Sequence, residues 1–293
     1  MGASQYIEFK KQRELGDILT DTFGFIRNEF KPFFSALLKI VGPYLLVMLV
    51  SLGFYFYAFG DILNFATITA ESQVFSPLIM IFALFSFVIS SVLVYAVSYG
   101  SVLSYIQSYV ENKGETDFNA IKKQVYAKFW PIVGLGFLVF LSVFVGLLFC
   151  FIPGIYLAVP LSISFSMLIF QNKNASDAYS ESFSLVKDNW WITFATLFVV
   201  YIIIYVASLA FSLPAVIYTW AKMGIFSGEM DATSMNAFAD PIYLALNILS
   251  QMIQFLMNII LLVATALIYF NLNEKKNFTG TYERIGNIGK SSD

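Results

Sequence analysis

Histidine is absent from the 293 residues, and cysteine occurs once, at Cys150. The first absence removes the commonest general base and the commonest metal ligand. The second excludes an intramolecular disulfide and any multi-cysteine metal site. Charge is also scarce: Asp, Glu, Lys and Arg make up 12% of the chain, about half the share found in a soluble domain. The net charge is −2, and no basic domain is present to neutralise phosphates, so nucleic acid is not an expected partner. There is no Gly-x-Ser-x-Gly elbow, phosphate-binding glycine loop or metal-ligand spacing, and the spans hold neither paired Asp nor a Ser/His dyad. The chain is therefore not expected to be an enzyme. No catalytic, cofactor-binding or metal residue is nominated, and no cofactor is implied.

What abounds is apolar: 58% of residues are hydrophobic, with 32 Phe and 17 Tyr. That is too much to bury in a water-soluble core of this length, so lipid is the solvent for most of the chain. A crossing helix needs roughly 20 apolar residues. Six runs stand out: Ala36–Phe59, Leu78–Gln107, Ile132–Ile152, Ile155–Phe170, Trp191–Tyr218 and Ile242–Phe270. Only Pro153-Gly154 separates the third from the fourth, which predicts a tight hairpin, and Pro160 predicts a kink in the short fourth run. No apolar run follows a basic start within the first 25 residues, so no cleavable signal peptide is expected.

Sixteen of the 17 basic residues fall on one side of these runs, and only Lys222 falls on the other. The positive-inside rule then places both termini in the cytoplasm and requires an even number of spans. The outer loops, Gly60–Pro77 and Ala221–Pro241, carry Asp61, Glu71, Glu229, Asp231 and Asp240, read as solvated loop acids. Trp130, Trp190, Trp191 and Trp220 all sit at span ends, where amphipathic rings favour the headgroup level.

Three segments on the basic side look alike. Glu14–Phe34 aligns Leu15, Ile18, Leu19, Thr22, Phe23, Ile26 and Phe30. Phe118–Val133 aligns Ile121, Val125 and Phe129, and Ala175–Phe194 aligns Ala178, Tyr179, Ser182, Phe183 and Val186. Each has the i, i+3, i+4 spacing of an amphipathic helix and ends in a basic, aromatic cluster. The expected fold is all-α: a polytopic membrane helix bundle of about six transmembrane helices with three interfacial helices on the cytoplasmic side. It is read as one membrane domain over 14–270, built from three repeats of interfacial helix plus hairpin. Tails at 1–13 and 271–293 flank it.

Three stretches carry a resemblance. They are Lys128-Phe129-Trp130-Pro131, Ile152-Pro153-Gly154-Ile155-Tyr156-Leu157-Ala158, and Ala178…Ser182-Phe183…Val186-Lys187-Asp188-Asn189-Trp190-Trp191. The opening Leu15-Gly16-Asp17-Ile18-Leu19…Phe23…Arg27-Asn28…Phe30-Lys31-Pro32 extends it. Over roughly residues 14–270 the chain resembles the membrane domain attached to some glycerophosphodiester phosphodiesterases, which also occurs alone in bacterial membrane proteins. The resemblance implies a six-helix domain in the bacterial cytoplasmic membrane and no agreed activity. The fused phosphodiesterase domain is missing here, and its histidine-dependent chemistry cannot be carried over.

In the central part of the spans the polar groups are uncharged. Asn247, Gln251, Gln254 and Asn258 share one face of the last span. Four carboxamides do not sensibly face lipid, so this stripe either bonds neighbouring helices or lines a polar groove. Tyr95 and Tyr105 are candidate partners for it. Ala96, Gly100 and Ser104 repeat every fourth residue, which suits close helix packing. Arg27, Lys31, Lys128, Trp130, Lys187, Trp190 and Trp191 are the candidate headgroup contacts. The expected partners are the phospholipid bilayer and a membrane-protein complex. The expected role is a non-catalytic module binding lipid or protein, an accessory or scaffold subunit of an envelope complex. The alternative is a transporter or scramblase-like carrier of a lipid or small amphiphile.

Overall fold

The computed structural model describes residues 6–63, 72–149, 151–223, 225 and 240–288, and their regular structure is helical throughout. In chain order the helices are α1 (Leu15–Asn28), α2 (Phe30–Leu63), α3 (Ser72–Glu111), α4 (Phe118–Phe149), α5 (Phe151–Phe170), α6 (Ala175–Val186), α7 (Trp190–Lys222), α8 (Pro241–Asn277) and α9 (Thr279–Ile288). Among the described residues, six helical stretches are long and apolar enough to cross a membrane. The protein is an all-α, polytopic integral membrane protein. Gly2, Glu71, Cys150, Glu229, Asp231 and Lys290 lie outside the described residues.

Short polar side chains start the helices. Asp117 Oδ1 accepts the backbone N–H groups of Asn119 (2.8 Å) and Ala120 (3.3 Å) ahead of α4. Asn174 Oδ1 accepts that of Asp177 (2.8 Å) ahead of α6. Asp240 Oδ1 accepts that of Ile242 (2.8 Å), with Pro241 in the first helical position. Each satisfies amide groups that have no partner within their own helix.

Two of the three amphipathic segments are separate helices. α1 is divided from α2 at Glu29, and α6 is divided from α7 by a 3-10 turn over Lys187–Asn189. The middle segment instead runs unbroken through Pro131 into its apolar span as α4. The sequence explains the difference. The junctions at Asn28-Glu29 and Asp188-Asn189 carry Asn or Asp, whose side chains compete for backbone hydrogen bonds, whereas Ala127-Lys128-Phe129-Trp130 has no such residue. On α1 the buried face is Ile18, Thr22 and Phe25, while Phe23 is exposed. The apolar stripe read from spacing is thus turned toward Phe25, because Phe9 from the N-terminal segment packs edge-on against that ring at 5.3 Å.

The chain forms two compact units. The first comprises Met1–Ile40, Ala96–Ile202 and Ile259–Asp293. Its core holds an aromatic cluster of Phe9, Phe25, Phe33, Tyr105, Tyr109 and Phe270, with ring centroids 5.0–6.4 Å apart, mostly edge to face. Such pairs add about 0.5–1.5 kcal/mol each beyond their buried area. The α4–α5 hairpin and α6 lie wholly in this unit. A Cβ on Gly146 would come 2.9 Å from Gly154 Cα, and one on Gly154 would come 2.8 Å from Leu147 N, so the two arms touch through backbone where only glycine fits. Pro153 is the third residue of α5, where its missing N–H leaves no bond unmade. The second unit comprises Val41–Tyr95 and Ile203–Asn258. Within it Phe56 meets Tyr243 at 5.8 Å, Ser86 Oγ donates to Ser51 Oγ at 3.1 Å, and Lys222 pairs with Asp240 at 3.2 Å.

Candidate functional site

In the first unit, charged side chains of the N-terminal segment, α1, α8 and α9 are organised into one network. Residues 6–14 form a strap across α1, α3 and α8. The Ile7 N–H donates to the Tyr109 hydroxyl at 3.0 Å, and the Tyr6 ring stacks on Tyr109 at 5.2 Å. Arg13 is only 4% exposed. Its guanidinium donates to the carbonyls of Phe9 (2.7 Å), Lys11 (3.2 Å) and Glu8, and to Asp21 Oδ2 (2.8 Å) on α1. Its backbone N–H reaches Asn271 Oδ1 on α8 at 2.8 Å. A buried guanidinium is tolerable because its fork is filled. Burial pushes Arg13 below its ordinary value, against the opposing pull of Asp21. Burial also raises the Asp21 carboxyl, but hydrogen bonds from Arg13 and Lys11 outweigh it and hold the group below its usual value.

The C-terminal helix closes on the same strap. Glu274 is 1% exposed. One carboxylate oxygen accepts the Gly280 N–H at 2.7 Å and the Thr279 hydroxyl at 3.3 Å. The other accepts the Thr281 N–H at 2.9 Å and its hydroxyl at 2.6 Å. This carboxylate therefore caps α9 from inside α8. A Cβ on Gly280 would collide with the Lys10 carbonyl oxygen, Lys10 pairs with Glu283, and Glu8 pairs with Arg284 at 3.4 Å. Beneath the strap the buried Glu29, at the break between α1 and α2, accepts the Tyr105 hydroxyl at 3.0 Å. These terminal segments read as polar tails in sequence. The signal that could have flagged them is the apolar Ile7 and Phe9 before α1 and the Asn271…Asn273-Glu274 cluster ending α8.

Between strap and α1 lies an open groove of about 570 Å3, lined by Tyr6, Lys11, Asp21, Phe23, Arg27 and Asn28 among others. Arg27, Phe23, Phe30 and Lys31 are exposed beside it. At the α6–α7 turn Lys187 and Trp191 are exposed, while Trp190 is half-buried. On α4 Trp130 is exposed and Lys128 half-buried. The seven nominated headgroup contacts thus all reach the surface of this unit.

The packing stripe is interior. Ala96, Gly100 and Ser104 are buried, and a Cβ on Gly100 would press on Ile132 (3.3 Å) and Val125 (3.4 Å) of α4. Tyr105 lies in the first unit and donates its hydroxyl to Glu29, while the four carboxamides lie in the second. Tyr95 is in the second unit and exposed. Two of the carboxamides turn back on their own helix: Asn247 Nδ2 donates to the Tyr243 carbonyl at 2.9 Å, and Asn258 Nδ2 to that of Gln254 at 3.0 Å. Gln254 and Asn258 are exposed, and Asn247 and Gln251 half-buried. At about 100° per residue the four occupy an arc of about 60°. The exposed apolar residues Ala245, Leu249, Met252 and Leu256 form a second arc, about 160° away. Among the described residues, no group of three or more His, Cys, Asp or Glu is placed to hold a metal.

No family model, curated protein or solved structure matches the chain.

Proposed function

We propose that the protein is a non-catalytic integral membrane module whose strap-and-α1 face binds anionic lipid headgroups and seats a membrane-protein partner. It would be an accessory or scaffold subunit in a bacterial cytoplasmic membrane, with both termini in the cytoplasm. The observation that supports this most is the exposure, on one compact unit, of Arg27, Lys31 and Lys187 beside the exposed rings of Phe23, Phe30 and Trp191. Basic groups near an anionic leaflet contribute about 1 kcal/mol each, roughly fivefold in lipid partitioning. The resemblance to the membrane domain of glycerophosphodiester phosphodiesterases belongs to this reading, and so does the one-sided distribution of basic residues.

The test uses spin-labelled phosphatidylglycerol and phosphatidylcholine with the protein in mixed vesicles. The unmodified protein is expected to hold phosphatidylglycerol preferentially, and Arg27→Gln/Lys31→Gln/Lys187→Gln to lose most of that preference. An unchanged preference in the triple variant sinks the lipid reading. Native mass spectrometry of the gently released protein then asks whether a second protein travels with it at fixed stoichiometry.

A carrier of a lipid or small amphiphile is the second reading, and one observation favours it. α8 presents an apolar exposed face and, nearly opposite, a carboxamide face on which Gln254 and Asn258 are exposed. Only the first suits lipid, so the second would border a hydrated groove.

A further inference from the structure

The hairpin of α4 and α5, together with α6 and the start of α7, belongs to one compact unit, and two contacts there define how deep the hairpin reaches. The Trp190 ring stacks on Tyr156 with centroids 5.4 Å apart, and its indole N–H donates to the Tyr156 carbonyl at 3.2 Å. Trp190 opens α7 after a 3-10 turn in which Lys187 and Asp188 are exposed, so it marks the headgroup level. Tyr156 is the sixth residue of α5, about 8 Å of helix from its start. If α4 and α5 each crossed the bilayer, Tyr156 would sit across a hydrocarbon core of about 30 Å from Trp190. The two rings are instead in contact.

The other arm gives the same answer independently. The Ser142 and Tyr179 hydroxyls are 2.9 Å apart. Tyr179 lies on α6 between the exposed Asp177 and Glu181, and Asn174, Lys173 and Lys187 flank that helix. A segment so charged does not enter hydrocarbon. Ser142 precedes the end of α4 by seven residues, about 10 Å. Both arms are thus tied to a charged layer roughly 10 Å short of the tip. Beyond those ties the tip is apolar and open: Phe149 is 84% exposed, Phe151 76% and Ile152 77%.

We propose that α4 and α5 form a re-entrant hairpin that enters one leaflet and returns to the same side, with Phe149, Phe151 and Ile152 seated among the acyl chains of that leaflet. A reach of about 10 Å fits within half of a ~30 Å core. Pro153 removes one donor of the helix start that would otherwise need a partner there. The contact of Gly146 with Gly154 makes the hairpin thin enough to insert as a wedge. The one-sided distribution of basic residues is unaffected, because a hairpin that returns leaves the following loops on the same side as two crossings would. The proposal stands apart from the headgroup-binding reading, with Lys187 the one residue common to both.

The test places single cysteines at Leu148, Phe151 and Lys187 in a Cys150→Ser background, reconstituted in phosphatidylcholine–phosphatidylglycerol vesicles. Two tip positions guard against one that fails to fold. Nitroxides at Leu148→Cys and Phe151→Cys are expected to collide with oxygen in preference to a water-soluble nickel complex, and Lys187→Cys the reverse. A membrane-impermeant maleimide should modify the tip thiols ~10-fold more slowly than Lys187→Cys from either side, because hydrocarbon disfavours the reactive thiolate. Rapid modification of Phe151→Cys from the side opposite Lys187→Cys would show two crossings and overturn the proposal. Tip labels shielded from both oxygen and nickel would place protein, not acyl chains, over the tip and overturn it equally.

Discussion

Replacing Glu274 by Gln isolates the contribution of a single buried carboxylate. The change keeps shape and hydrogen-bonding length but converts one oxygen into an NH2 group. Each oxygen of Glu274 accepts one backbone N–H, from Gly280 at 2.7 Å or from Thr281 at 2.9 Å, and one threonine hydroxyl. The hydroxyls can rotate to accept from an amide. The backbone N–H groups cannot, so in either orientation of the new amide one of them loses its acceptor in a buried site. An orphaned buried donor costs about 1–3 kcal/mol. About 2 kcal/mol raises the opening equilibrium of α9 by a factor of ~30. Hydrogen–deuterium exchange of the amides over 279–288 in vesicles reads that factor directly. Glu283→Gln is the control: its pair with Lys10 is solvent-accessible, and exposed pairs contribute about 0–1 kcal/mol. The reasoning fails if Glu274→Gln folds and the Gly280 and Thr281 amides exchange no faster than in the Glu283→Gln protein.

Two further outcomes follow from the same unit. Because Asp21 titrates below its ordinary value of 3.8 in the folded protein, it binds fewer protons there than in the unfolded chain. Its contribution to stability is therefore complete above about pH 4 and disappears as pH falls through the folded value. Asp21→Asn should lower the melting temperature at pH 7, and the gap from the unmodified protein should narrow on acidification toward pH 3, measured by nanoDSF in detergent. Gly154→Ala places a methyl 2.8 Å from the Leu147 backbone nitrogen and should destabilise by about 1–3 kcal/mol. Gly134→Ala, where nothing lies within 4 Å of the added carbon, should not, by thermal melting of the two variants side by side.

Much of the architecture is legible without coordinates. Ile121 and Val125, or Ala178, Ser182 and Val186, are buried as their spacing predicts, because a helix repeats every 3.6 residues and one apolar stripe must find cover. Where spacing misled, a distant residue was the reason. Phe25 replaces Phe23 on the buried face of α1 because Phe9 covers it. Tyr105 donates to Glu29 through a contact spanning 76 positions, which no local pattern announces. The pairing of the strap with α8 leaves no local pattern, since Arg13 meets Asn271 across 258 positions.

The sequence by itself determined that the solvent is lipid, that the fold is helical, and which runs are apolar enough to lie in hydrocarbon. Those properties follow from composition and from local periodicity, which a linear chain records. It also distributed the basic residues to one side, but that asymmetry is the same whether a hairpin crosses twice or turns back. Only the tertiary structure decided that Trp190 touches Tyr156, that Gly146 meets Gly154, and that Asn247 and Asn258 of α8 bond their own helix. Depth and facing depend on which elements pack together, and packing is settled by shape and by partner groups far apart in the chain, to which periodicity is blind.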